Sequence, residues 1–168
     1  KHLLLSIWFL LGLLVVEVGA NPIRVLFLGH ESKHHNSNEY YPMLAKALGR
    51  DAIYFDYVTS VEVALGDAGH LGEFDALLLY ANHPRLTAKQ WENLQSYVRN
   101  GGGFVPVHCA SWCFSNMPEF DQLVGGRFKS HNAGAFKARI IKANHPALAG
   151  VKEFDAWDET YFHNNHNE

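Results

Sequence analysis

Cysteine is scarce in this chain, and so is charge of one sign. The 168 residues include two cysteines, Cys109 and Cys113, too few for a disulfide-built scaffold. A helical i, i+4 pair comes close, but its side-chain vectors do not suit an S–S bond. Two separate thiols, buried or reactive, are therefore favoured over a disulfide. Fourteen basic residues face 17 acidic ones, for a net charge of −3, which removes the electrostatic case for nucleic acid. The charges are scattered, which excludes a charged tail or a basic membrane-binding helix. Internal repeats and low-complexity tracts are absent from the sequence.

Long apolar runs are also lacking, with one exception. Residues 3–16 form an apolar stretch of about 14 residues, short of the roughly 20 that span a bilayer. Lys1 and His2 precede it, and Val18-Gly19-Ala20 supplies small residues before Asn21. That is the layout of a signal peptide. We expect residues 1–20 to be removed, the protein to be exported (periplasmic or extracellular), and no membrane association after cleavage. No cysteine follows Ala20, so a lipid-attachment signal is missing there. The chain starts at Lys1 and ends in the polar run His163 to Glu168, so it reads as part of a longer protein, with additional domains expected as candidates beyond Glu168. Residues 21–168 suffice for one domain with a real core.

What is present in quantity is histidine, 11 residues, several of them where strands are expected to end. Ile23 to Leu28 is a nearly continuous apolar run of the kind found in central parallel strands. A polar loop, His30 to Asn38, leads to a helix expected over Glu39–Leu48. A second strand is expected over Ala52–Val58, a loop with a short helix over Val61–Gly72, and a third strand within Phe74–Tyr80. Thr87 and Gln90 have capping-box spacing, opening a helix that runs to about Asn100. Gly101-Gly102-Gly103 turns the chain into a fourth strand, Phe104–Val107. A short helix is expected over Pro118–Val124, a strand over Ala135–Ile141, and an irregular or extended segment over Phe154–Phe162. The order β-α-β-β-α-β implies an α/β fold with a mainly parallel sheet.

In such sheets ligands bind beyond the carboxyl ends of the strands. His30, His83 and His108 follow the first, third and fourth strands and should meet along one edge. His30-Glu31-Ser32-Lys33-His34 matches H-E-x-x-H literally, but the helix a zinc protease needs is not expected there. A loop carrying His30 and one of His34 or His35 to the pocket is the better reading. At the end of the fourth strand, His108 and Cys109 compete for the turn. A cysteine there could act as a nucleophile, but the Gly-x-Cys-x-Gly frame is missing. We favour His108 at the exposed apex and Cys109 turned inward as a small apolar packer.

His131 follows another glycine turn, and Asp158-Glu159-Thr160-Tyr161 adds carboxylates and a phenol. A His/Glu pair with a tyrosine can perform general acid–base chemistry on a polyol or carbonyl compound. The same groups could bind a metal. We take His108, Glu159 and His131 as candidate catalytic residues. His30, His83, Ser111, Asp158 and Tyr161 are candidate substrate contacts. If there is a cofactor, a divalent metal such as zinc is the candidate, with His30, His108 and His131 as possible ligands. Trp112, Trp157, Tyr161 and Phe162 could form a sugar-stacking wall or be core, and His145-Pro146 could be purely a turn.

Together these segments resemble the trehalose-utilisation (ThuA-like) domain family, within the class I glutamine amidotransferase-like superfamily. The matching residues are Gly29-His30, the run from Gly101 through Val107-His108-Cys109 to Ser111, Gly125-Gly126-Arg127-Phe128 through His131, His145-Pro146, and Asp158 through Tyr161. The resemblance spans about Ile23 to Glu168. It implies a flavodoxin-like three-layer sandwich and a small-molecule carbohydrate as partner. It does not imply amidotransferase activity, because His108 stands where those enzymes carry cysteine and no downstream His-x-Glu pair matches. The expectation is an exported enzyme acting on a sugar or keto-sugar. The alternatives are a non-catalytic carbohydrate-binding module and a cysteine hydrolase using Cys109.

Overall fold

The computed structural model describes residues 21–167, and the expected signal segment lies outside them. Four parallel strands form the central sheet: β1 (Ile23–Leu28), β2 (Ile53–Val58), β3 (Ala76–Leu79) and β4 (Gly103–Pro106). Their order is β2-β1-β3-β4, the first four positions of a flavodoxin-like sheet. Residues 25–28 of β1 are all buried, because this strand lies between β2 and β3 and is covered on both faces.

The two-residue period of a strand sorts those side chains. Leu26 and Leu28 join Leu77 and Leu79 in one core with Leu65, Leu71, Leu94 and Phe120. Phe27 points the other way, its ring 6.2 Å from Tyr41 and 5.1 Å from Tyr57. Each fully buried leucine contributes about 1.5–3 kcal/mol over leaving it exposed. The first face carries α2 (Val61–Leu65), α3 (Ala68–Leu71), α4 (Ala88–Arg99) and α5 (Glu119–Val124), and the second carries α1 (Ser37–Leu48). These are the three layers expected.

Local differences from the sequence reading have local causes. The first helix starts at Ser37, two residues early. Ser37 is buried, and its Oγ accepts a hydrogen bond from the His30 N–H at 2.8 Å, so a residue typical of loops is held in the fold by a specific partner. Residues 61–72 hold two short helices rather than one. Ser60 caps the first, and Asp67 caps the second by accepting from the His70 N–H at 2.7 Å. The capping box at Thr87 and Gln90 forms as its spacing implies.

The largest difference lies in the final third. β5 (Arg127–Ala138) and β6 (Phe154–Asn164) are long strands paired antiparallel as a separate two-stranded ribbon. For β5 the sequence suggests a strand only over Ala135–Ile141, and for β6 an irregular or extended segment over Phe154–Phe162. Lys129 to Asn132 are polar, and a ribbon open to solvent needs no apolar alternation to reveal it. His131, after the glycine turn, lies on strand β5. His145-Pro146 is a turn, with the His145 ring accepting from the Ala147 N–H at 3.2 Å.

Candidate functional site

The site forms where the sheet's carboxyl edge meets the ribbon. β4 ends in a 3₁₀ turn, His108–Trp112, and His108 has φ 49°. A left-handed backbone is unfavourable for a residue with a Cβ and, where observed, calls for a functional or packing reason. Here it swings the imidazole out at the apex while Cys109, 2 % exposed, turns into the core. His35, in the loop after β1, also has a left-handed backbone, φ 56°. Its ring meets that of His108 edge-on, centroids 4.6 Å apart.

The ribbon supplies the opposing groups. Glu159, Tyr161 and His163 alternate along β6 and so share a face. His131 on β5 stands directly across from Tyr161. The Glu159 carboxylate is the hub: its Oε2 is 3.3 Å from His108 Nε2 and 3.9 Å from His35 Nε2, and its Oε1 is 3.7 Å from His131 Nε2. Oε2 is shut off from solvent and has no aligned hydrogen-bond partner. The Tyr161 hydroxyl lies 3.1 Å from His108 Nε2, and the two rings stack with centroids 4.2 Å apart. Ser111 Oγ donates to the His108 carbonyl at 3.2 Å and accepts from His163 Nε2 at 3.0 Å, which ties the turn to the ribbon.

His108, Glu159, His131 and Tyr161 thus come together as the sequence suggested, with Ser111 bracing them. Asp158 accepts the Glu159 N–H at 2.8 Å and faces an adjoining depression. His30 and His83 have other tasks. His30 is buried; its Nδ1 accepts from the Asn82 N–H at 3.4 Å and its Nε2–H donates to the His35 carbonyl at 2.8 Å. Both ring nitrogens are used, so His30 holds the loop that presents His35 rather than offering a lone pair itself. His83 donates from Nε2 to the Gly29 carbonyl at 2.8 Å. The aromatic wall is also redistributed: Trp112 packs on Phe128, while Trp157 is 74 % exposed.

Three residues were not foreseen in their roles. His35 was one of two loop alternatives and is the one that arrives. His163 follows Tyr161 at i+2, a signal available only once β6 is recognised as a strand. Arg127 donates to the Trp112 and Cys113 carbonyls and faces Asp121 Oδ1 at 3.5 Å, holding the far end of the His108 turn. Gly29 is required by close approach: a Cβ there would lie 2.5 Å from the Tyr57 ring and 2.7 Å from Ser37 Oγ.

Burial sets the protonation chemistry. It lowers the His35 imidazole below 6.5, with the neighbouring His108 adding to this and the Glu159 charge opposing it. It raises the Tyr161 phenol above its usual range, reinforced by Glu159, so Tyr161 stays protonated and can donate a hydrogen bond. It pushes the Cys109 thiol up to about 12. Both cysteines are free. A cavity of about 150 Å³ opens between His35, Cys109, His131, Glu159 and Tyr161. Beside it lies a depression of about 490 Å³ lined by Tyr40, Tyr80, His108 and Asp158 among others, within the roughly 300–1,000 Å³ usual for small-molecule sites.

The comparisons bear on this architecture. A family model described as trehalose utilisation (ThuA) matches residues 24–168. The crystal structure of a ThuA-like protein from Bacteroides uniformis superimposes with a TM-score of 0.71 at 20 % identity, covering 88 % of this chain and 64 % of that one. A ThuA-like protein from Parabacteroides merdae gives a TM-score of 0.65 at 20 % identity, covering 84 % and 63 %. The chain therefore spans less than two thirds of the length of these relatives. No curated protein matches it.

Proposed function

The chain belongs to the trehalose-utilisation (ThuA) family, and from that premise we propose that it is an exported enzyme acting on a sugar or keto-sugar by general acid–base chemistry. The carrying observation is the His108 imidazole held between the Glu159 carboxylate at 3.3 Å and the Tyr161 hydroxyl at 3.1 Å. A ring nitrogen between a carboxylate and a protonated phenol can take a proton from a substrate hydroxyl or carbon and return it elsewhere. Glu159 balances the charge on the imidazole when it is protonated. His131 stands on the other carboxylate oxygen, and Tyr161 supports an oxygen that gains charge. Tyr40, Tyr80 and Asp158 around the larger depression suit a sugar, which is recognised by aromatic faces and by carboxylates accepting from hydroxyls. Export is supported by the apolar run 3–16 and by Val18-Gly19-Ala20. Among the described residues no helix is long and apolar enough to cross a membrane.

The test starts with protein recovered from outside the cytoplasm, expected to begin at Asn21, and a panel of disaccharides and their keto derivatives that includes trehalose. Turnover should fall about 100-fold or more in His108→Ala and Glu159→Gln. Unchanged turnover in His108→Ala would remove the assignment. Sugar binding without any product would favour a binding module instead.

A further inference from the structure

We propose that His35, His108 and Glu159 form a binding site for one divalent transition-metal ion, with zinc the best match. The proposal shares His108 and Glu159 with the sugar reading and rests on that reading only for what a bound ion would serve. A His108 Nε2 bound to the ion carries no proton, so with the ion in place proton transfer falls to His131 and Tyr161, which face the same carboxylate and ring. Its geometry stands independently of any sugar.

The three residues each offer a ligand atom, and these atoms lie within 4.8 Å of one another. Zinc bonds to nitrogen and oxygen are about 2.0–2.1 Å, which places neighbouring ligands of a tetrahedral ion about 3.3 Å apart. The His108–Glu159 edge already has that length at 3.3 Å, and the His35–Glu159 edge, at 3.9 Å, is slightly open. His35 sits on a loop, so a small side-chain rotation closes it.

A second observation points the same way. Glu159 Oε2 is buried without a hydrogen-bond partner, an arrangement that is unfavourable for a carboxylate oxygen left alone. His108 Nε2 is near it but is also engaged by the Tyr161 hydroxyl. A cation between the two histidines and Oε2 supplies the missing partner.

The donor set selects the ion class. Two imidazoles and one carboxylate suit zinc and its neighbours, whereas calcium and magnesium prefer all-oxygen shells. Three protein ligands leave a fourth position for water or substrate, and two of the three, His35 and Glu159, line the cavity of about 150 Å³. Supporting contacts are in place. His30 donates to the backbone carbonyl of His35 at 2.8 Å and fixes the turn that presents its ring. His131 stands 3.7 Å from the other oxygen of Glu159 and orients the carboxylate.

Chelator-stripped protein titrated with zinc chloride by calorimetry, and with cobalt(II) by visible absorption, tests this. One equivalent should bind, and cobalt should show the intense visible bands of a four-coordinate ion. Glu159→Gln and His35→Gln should weaken zinc binding about 100-fold, and His131→Ala about 10-fold. His70→Ala, at the opposite end of the sheet, should leave it unchanged. Circular dichroism confirms folding, and the two single-ligand variants guard against misfolding of either. Absence of zinc uptake by natively folded protein overturns the proposal, as does uptake equally tight in Glu159→Gln and His35→Gln. Stripped protein that turns over sugar normally but takes up no zinc removes the ion and keeps the sugar reading. Zinc uptake lost in the ligand variants, without sugar turnover in any form, keeps the ion and removes that reading.

Discussion

At the scale of single residues, Cys109 shows how one position decides a chemistry. It stands immediately after the apex and is turned into the core, and burial with the nearby Glu159 charge holds its thiol protonated up to about 12. A thiol nucleophile needs thiolate at working pH. Alkylation of the native protein near pH 8 should therefore label neither Cys109 nor Cys113, and the two free thiols should react only after denaturation. Rapid labelling of Cys109 in folded protein would revive the cysteine-hydrolase alternative. The geometry of the turn, with His108 at its apex and Cys109 inward, was legible in the sequence because the Gly-x-Cys-x-Gly frame is missing. The role of His30 was not. Its position after β1 announced a site residue, but whether a ring nitrogen meets a ligand or a backbone group depends on how the next five residues fold back, and no local pattern records that.

At the scale of elements, the parallel sheet was readable from apolar runs and glycine stops, since central strands must be apolar on both faces. The ribbon was half hidden because solvated strands obey no such constraint. As a result, the half of the site on strand-end loops could be located from sequence, while the alternation of Glu159, Tyr161 and His163 on one face emerged only with β6. The two halves are clamped by Arg127, whose guanidinium holds two carbonyls of the His108 turn and faces Asp121; the Arg127 and Asp121 side chains are 13 % and 9 % exposed. Removing one partner of a buried pair strands the other charge. Arg127→Met should lower unfolding stability by on the order of 3 kcal/mol in denaturant titrations. A change within experimental error would show that the clamp is not what holds the turn.

At the scale of the whole molecule, stability should depend on pH through histidines kept neutral by burial. His83 is held below the ordinary 6.5, by burial first and by the nearby His30 as well, against the Gly29 carbonyl that accepts its proton. The folded value is the lower one, so the unfolded chain binds more protons as pH falls through about 6.5, and stability is lost in that direction. Melting temperature should be steady above about pH 7 and decline below it, and His83→Gln should reduce the slope. An unchanged slope in that variant would assign the dependence to other groups.

The irregularity in the ribbon has a consequence of its own. Between Phe128 and Ser130 the pairing slips, so that Phe128 faces His163 while Ser130 faces Phe162. Lys129 is the surplus residue. A one-residue slip exchanges the two faces of a strand, so everything beyond Lys129 on β5 is set in phase by it. Arg127 stays clamped to the His108 turn and Asp121, while His131, past the slip, meets the carboxylate. Lys129 thus acts as a spacer in the chain's timing: its side chain makes none of the site contacts, yet its presence in the count determines that His131 looks toward Glu159 and not away.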